Sequence, residues 1–342
     1  MTRLRLLLLV AGAGTLLAGL PAYGERATPA PLTLSTGDDN QAVELLTAAS
    51  RAARTRSYTG TQYVSTWHAD AASSSVAEVR HTATGSVVSV RPTAGAQPDS
   101  AVTPTPDLDP RLLRLLTAHY DLAMAADTTC SGRAVHVVDA VRGQDGTVAG
   151  RFWVDTATRL VLRRETFDTA GRLVRSSAFA TVTVGSTFPD SSPGDPGSLD
   201  AGERDRLRRD GWRIPDRLAG GLELYDARIR THDGRQVLHL AYSDGLSTLS
   251  LFAQRGKLGA GPMSGFSKHT MGLAPVWVKA SSPERVVWGG GGRVFTLLSD
   301  ASPAVVRAAV SALPHDKAPR SGMLARLGRG LARLGSWLNP FD

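Results

Sequence analysis

The feature that most constrains this chain is a change of hydropathy period between residues 133 and 184. Over that stretch apolar and polar residues alternate in four runs: Arg133 to Arg142, Gly150 to Asp155, Leu160 to Phe167 and Arg172 to Val184. A period of two sends successive side chains to opposite faces, which is the pattern of half-buried β-strands. The runs are separated by turn-rich Gly143 to Gly146, Asp155 to Thr158 and Asp168 to Gly171. Connections this short join antiparallel neighbours, so the stretch reads as a meander. Trp153, Leu160, Leu162 and Phe179 would supply bulk to its inner face.

The segments before the meander would partly cover it. A helix is expected from Asp38 or Asp39, since Asp caps the free amides of a first turn. Val43, Leu46, Ala49, Ser50 and Ala53 follow at three- and four-residue spacing and define its buried face. Tyr58 to His68 and Val76 to Arg91 read as strands, with the small, polar Ala71 to Ser75 joining them. Residues 92–110 hold five prolines and three aspartates and read as a loop. Pro110 then opens a short amphipathic helix over Arg111 to Tyr120.

Residues 185–202 are mostly Gly, Ser, Pro and Asp and form the clearest boundary in the chain. Beyond a charged stretch, Glu203 to Asp210, a second unit starts near Gly211-Trp212. Its expected strands are Leu222 to Arg228, Gln236 to Tyr242, Thr248 to Gln254, Val276 to Ala280, Arg285 to Trp288 and Val294 to Leu298. Ser302 and Pro303 start a helix that Pro314 stops. The reading is therefore α+β, with these divisions: a signal segment 1–24, a lead-in 25–37, an N-terminal domain 38–184, a linker 185–206, a C-terminal domain 207–314 and a tail 315–342. In the tail, leucines recur every three or four residues from Leu324 to Leu338 with Trp337 beside them, and Arg326, Arg329 and Arg333 lie off that stripe. This is the pattern of a helix in a membrane interface. A helix docked on its own domain, or an end loosened by Gly328, Gly330 and Gly335, would share it.

Composition places the chain in a compartment. Arg3 and Arg5 precede an apolar run from Leu6 to Leu20, and Pro21 to Gly24 offers a small-residue cleavage site, the layout of an export signal. The run is short for a membrane span, although an uncleaved anchor would have the same flanks. Removing Arg3 and Arg5 lowers the formal net charge from +8 to +6. An exported basic protein meets anionic lipid or an acidic protein before it meets nucleic acid. The expected location is periplasmic or otherwise extracytoplasmic.

Catalytic chemistry is hard to place. The sequence has no G-x-S-x-G elbow, no H-E-x-x-H pair and no phosphate loop ending in Lys-Ser or Lys-Thr. The single Cys130 excludes an internal disulfide and lacks a local base. Asp226, Asp233 and Asp244 fall at turns or strand ends, where Asp caps backbone amides. The expectation is a non-catalytic binding protein without a metal or cofactor.

Two stretches carry a resemblance. Gly211-Trp-Arg-Ile-Pro215, with Leu238 to Phe252 and its Tyr242-Ser-Asp-Gly-Leu246 step, resembles the C-terminal domain of the MucB/RseB family. Leu116 to Tyr120, Ser131 to Ala134, Phe152 to Asp155 and Leu160 to Arg163 resemble that family's N-terminal domain, so the likeness covers roughly residues 40–315. The resemblance implies a half-open β-barrel like that of lipoprotein carriers, with covering helices, followed by a smaller α+β domain. It also implies an envelope-stress regulator that binds the extracytoplasmic part of a membrane-anchored anti-sigma factor and shields it from proteolysis. Partner contact would then fall on Tyr242, Asp244, Leu246 and Phe252. The alternative is a lipid or lipoprotein carrier whose apolar cup is lined by Trp67, Trp153, Leu160, Leu162 and Phe179. The tail residues Arg326, Arg329, Arg333 and Trp337 would touch the membrane in either case.

Overall fold

The computed structural model describes residues 36–68, 71–82, 85–92, 108–185, 197–232, 235–259, 261–271, 274–279 and 284–316. The expected signal segment and the tail residues Arg326, Arg329, Arg333 and Trp337 lie outside them. The chain opens with helix α1, Thr36–Thr55. Its buried stripe is Ala42, Leu45, Leu46, Ala49, Ala52 and Ala53. Val43, expected on that stripe, is 38% exposed, because one residue of helix is a rotation of about 100° away from Ala42.

Eight strands form the first sheet: β1 Tyr58–His68, β2 Ala71–Thr82, β3 Gly85–Pro92, β4 Asp121–Cys130, β5 Arg133–Val141, β6 Val148–Asp155, β7 Val161–Phe167 and β8 Leu173–Val184. Their spatial order is β3-β2-β1-β8-β7-β6-β5-β4, and every pairing is antiparallel. β3 and β4 end the row without pairing to each other, so the sheet is an open, unclosed barrel. The expected joint at Ala71–Ser75 is strand: Ser65 and Thr66 of β1 share hydroxyl hydrogen bonds with Ser74 and Ser73. The expected single run from Val76 to Arg91 is two strands, β2 and β3, paired as a hairpin. β4 had no sequence signal, since its Asp127–Thr129 portion is exposed at the sheet edge.

Helix α2, Pro110–His119, packs Leu112, Leu113, Leu115 and Leu116 inward, and the Asp109 carboxylate accepts from the amides of Arg111 and Leu112. Together α1, α2 and the β4–β6 end of the sheet bury one cluster around Leu46, Leu112, Leu116, Val138 and Phe152. A second cluster gathers Tyr58, Val79, Val137, Trp153, Leu162 and Phe179. Burying side chains of this size stabilises by about 1.5–3 kcal/mol each.

After helix α3, Ala201–Arg209, seven antiparallel strands make the second sheet: β9 Glu223–His232, β10 Arg235–Ser243, β11 Thr248–Arg255, β12 Ser267–Met271, β13 Ala274–Lys279, β14 Glu284–Gly290 and β15 Arg293–Ser299. Their order is β12-β13-β14-β15-β11-β10-β9. Helix α4, Pro303–Ser311, lays Val306, Ala309 and Val310 on a core built from Leu238, Leu240, Tyr242, Leu251, Trp288 and Phe295. The charged stretch before Gly211 is α3, a helix with no buried residue that is held by a reciprocal Asp200–Glu203 capping box. Both sheets lie within one compact unit.

Candidate functional site

The end of β10, Tyr242 and Ser243, leads into the turn Asp244 to Ser247 before β11, and the turn is shaped by its own polar side chains. Asp244 Oδ1 accepts from the amides of Leu246 and Ser247 at 2.9 and 2.7 Å. Ser243 Oγ accepts from the Gly245 amide and donates to the Ser247 carbonyl. Gly245 sits at φ +95°, where a side chain would be strained. The result is a rigid loop that projects Leu246 away from its own sheet.

The first sheet provides the socket. Leu246 is 4% exposed and belongs to the cluster of Leu46, Leu112, Leu116 and Phe152, not to the core of its own sheet. The fit depends on two glycines. A Cβ on Gly150 of β6 would stand 2.5 Å from Leu246 Cδ2, and a Cβ on Gly245 would stand 2.3 Å from the Leu116 amide nitrogen. Arg164 of β7, buried across the seam, donates through Nη2 to the carbonyls of Gly245 and Leu246 at 3.1 and 2.6 Å. Burial pushes its guanidinium down to about 10, so it stays charged at neutral pH. Tyr120 Oη donates to Asp244 Oδ2 at 2.8 Å, and burial beside that carboxylate pushes the phenol far up.

Further contacts extend the seam. Arg175 of β8, buried, pairs with the half-buried Asp300 at 3.3 Å, and Asp300 also accepts from the Thr248 amide. Arg111 of α2 donates to the Tyr225 carbonyl of β9 at 3.1 Å. The seam therefore has an apolar plug ringed by charge-assisted hydrogen bonds, each about twice as strong as a neutral one.

The four residues read from sequence as a partner face separate here. Tyr242 is fully buried in the second core and donates its hydroxyl to the Pro215 carbonyl at 2.8 Å. Asp244 and Leu246 are engaged in the seam. Phe252 lies further along β11 and stacks on His239 of β10, ring centroids 4.4 Å apart. As the structure stands, then, Tyr242 and Leu246 present no surface to a partner, because each fills an apolar core. Sequence reading missed Arg164, Tyr120 and Gly150, which meet the loop across more than eighty residues or from the opposite sheet.

Of the five cup residues, Trp153, Leu160, Leu162 and Phe179 pack together in one cluster. Trp67 is half-buried near the end of β1 and stands outside that cluster. The Arg163 and Arg151 guanidiniums lie 4.7 and 6.0 Å from the Trp153 ring centroid. The buried carboxylates Asp139 and Asp155 are held by Arg151 and Arg133. Burial pushes the Cys130 thiol up, away from a reactive thiolate. Among the described residues no group of three His, Cys, Asp or Glu side chains could hold a metal.

His239 carries a pH dependence. Burial against Phe252 pushes its imidazole down to about 4, against an unfolded value near 6.5. Between those values the unfolded chain takes up a proton that the folded chain refuses, so stability falls as pH drops. Denaturation in urea at pH 5 and pH 7 should differ by about 2 kcal/mol from this group, and the difference should vanish in His239→Gln. An unchanged difference in that variant would assign the effect elsewhere.

Residues 85–195, from β3 past the end of β8, match the family model described as the MucB/RseB N-terminal domain. Among solved structures, a crystal structure of MucB is 18% identical, covers 80% of this chain and 97% of its own, and has a TM-score of 0.48. The complex of Pseudomonas aeruginosa MucA and MucB is 20% identical, with coverages of 79% and 97% and a TM-score of 0.42. A LolA superfamily protein from Nitrosomonas europaea is 10% identical, with coverages of 75% and 90% and a TM-score of 0.19. No curated protein sequence matches the chain. Residues 85–195 are thus similar to the MucB/RseB N-terminal domain, in agreement with the resemblance seen in the sequence.

Proposed function

We propose that this protein is an exported, non-catalytic negative regulator that binds the extracytoplasmic region of a membrane-anchored anti-sigma factor and modulates its proteolysis in envelope-stress signalling. The observation that carries this reading is the MucB/RseB N-terminal domain match at residues 85–195. Solved relatives include MucB bound to MucA, a pairing that belongs to those proteins and guides the choice of partner here. In this reading residues 38–184 and 207–314 act as two domains, and the plugged seam between the two sheets fixes the face they jointly present. No helix among the described residues is long and apolar enough to cross a membrane.

The test is in-cell cross-linking of affinity-tagged protein with mass spectrometry of what is captured. A single-span membrane protein with a cytoplasmic anti-sigma domain is the expected partner. Stoichiometric lipid or lipoprotein with no such partner would instead favour a carrier with Trp67, Trp153, Leu160, Leu162 and Phe179 around its ligand. Tyr242→Ala and Leu246→Asp should both lose capture, through the seam and core they stabilise. Deleting 318–342, which removes Arg326, Arg329, Arg333 and Trp337, should abolish binding to anionic vesicles. Equal vesicle binding by the shortened chain would remove membrane contact from the tail.

A further inference from the structure

At the far end of the second sheet two like charges face each other. Arg255 at the end of β11 and Arg293 at the start of β15 are direct cross-strand partners. Like charges in that position destabilise a sheet unless something lies between them. Here no carboxylate does: among the described residues neither arginine makes an ion pair, and the Nε of Arg293 is buried without a hydrogen-bond partner. Each guanidinium instead lies over the ring of Trp212, 4.8 Å from its centroid for Arg293 and 5.8 Å for Arg255. Trp212 is anchored in the second core at 3% exposure, so it holds both cations in place without neutralising either.

The backbone beside the pair carries no side chains, and Arg293 Nη1 donates only to the Gly291 carbonyl, at 3.4 Å. Gly256 follows Arg255 and Gly292 precedes Arg293; the Gly256 amide donates to the Gly292 carbonyl at 3.0 Å, and a Cβ on either glycine would meet nothing within 4 Å. Gly211, before Trp212, comes no nearer than 3.7 Å from its Cβ position to Arg293 Nη2. Arg255 is exposed and Arg293 half-buried, so a ligand can reach both. Burial and the neighbouring Arg255 both push the Arg293 guanidinium down, which is the mark of a cation lacking a counter-charge.

We propose that Arg255, Arg293 and Trp212 form an oxyanion site for a dianionic phosphate or phosphomonoester. A single carboxylate would neutralise only one of the two guanidiniums, whereas a dianion balances both and presents enough oxygens for two forked donors. This site stands apart from the seam and does not depend on the partner proposed above.

The full chain, labelled with nitrogen-15, would be titrated with inorganic phosphate at constant ionic strength while the Trp212 indole N–H signal is followed. A saturable shift is expected, strengthening from pH 6 to pH 8 as phosphate loses its second proton near about pH 6–7 while the arginines stay charged. R255Q, at an exposed position, should keep the thermal midpoint and weaken binding by about tenfold or more. R293Q should do the same, and the monoanion dimethyl phosphate should bind poorly. An equal shift with chloride, an unchanged affinity in R255Q, or no pH dependence would overturn the proposal. Vesicles containing phosphatidic acid, compared between the native chain and R255Q, then decide the source. A difference between the two points to a lipid headgroup, and equal binding alongside a retained phosphate shift points to a soluble phosphate.

Discussion

Leu246→Asp is expected to lower stability by about 4 kcal/mol or more and to part the two sheets. The residue contributes nothing to the core of its own sheet, so the loss falls on the seam. Removing the leucine side chain forfeits about 2–3 kcal/mol of burial, and the carboxylate that replaces it would sit among Leu46, Leu112, Leu116 and Phe152 with no donor in that cluster. The measurements are urea unfolding and amide exchange. Exchange should accelerate in α2, whose Leu112 and Leu116 line the socket, while β11 and β15 keep their protection because Leu251, Phe295 and Trp288 pack without Leu246. Uniform loss of protection in both sheets would show that the plug is part of a single inseparable core.

Gly150 offers an independent handle on the same contact. Gly150→Ala places a methyl group 2.5 Å from Leu246 Cδ2, and should destabilise on its own because the socket is closed around the leucine. In Leu246→Ala that space is vacated, so the same alanine at 150 should be tolerated far better. The two substitutions should therefore be non-additive by more than about 1 kcal/mol, in the sense that each relieves the other. Simple additivity would mean that residues 150 and 246 do not share a cavity.

Much of this architecture could be read from the chain alone, and the misses have physical causes. Strands β5 to β8 were legible because Gly146, Gly171 and the Asp-rich turns separate runs of strict alternation. Helices α2 and α4 were legible because Asp109-Pro110 and Ser302-Pro303 write out a cap and a first turn. β4 was not, since a strand whose Asp127, Thr128 and Thr129 face water lacks the hydrophobic beat that marks a half-buried one. The start of β2 was read as a connection because alanine and serine have weak strand preference, while the pairing is supplied by hydroxyls on β1. The site shows the same division. Tyr242 to Leu246 stood out in the sequence, and a leucine inside an otherwise polar turn was the available sign that the turn enters a core. What it enters could not be read, because Arg164 and Gly150 are ordinary residues of strands that look complete without it.

Arg164→Met is expected to cost about 3–5 kcal/mol, nearly as much as the loss of the plug. Methionine keeps the apolar stem over the Phe152 ring, where the guanidinium now lies 5.4 Å from the centroid, so packing is largely retained. What disappears is the donor: the buried carbonyls of Gly245 and Leu246 lose their partner, and the desolvation of each then goes uncompensated at about 1–3 kcal/mol. Asp244 and Asp300, whose charges favour the cationic form of Arg164, lose a neighbouring positive charge in the same step. Arg164→Lys separates charge from geometry. A single ammonium restores the positive charge but not the planar fork, so it should recover part of the loss and no more. Denaturation of the two variants beside Leu246→Ala completes the comparison. If Arg164→Met costs less than about 1 kcal/mol, the loop is held by its leucine alone and the polar ring is incidental. If its cost shrinks once Leu246 is already alanine, the plug and the ring act as one joint, which is what a loop carrying both contacts on adjacent residues requires.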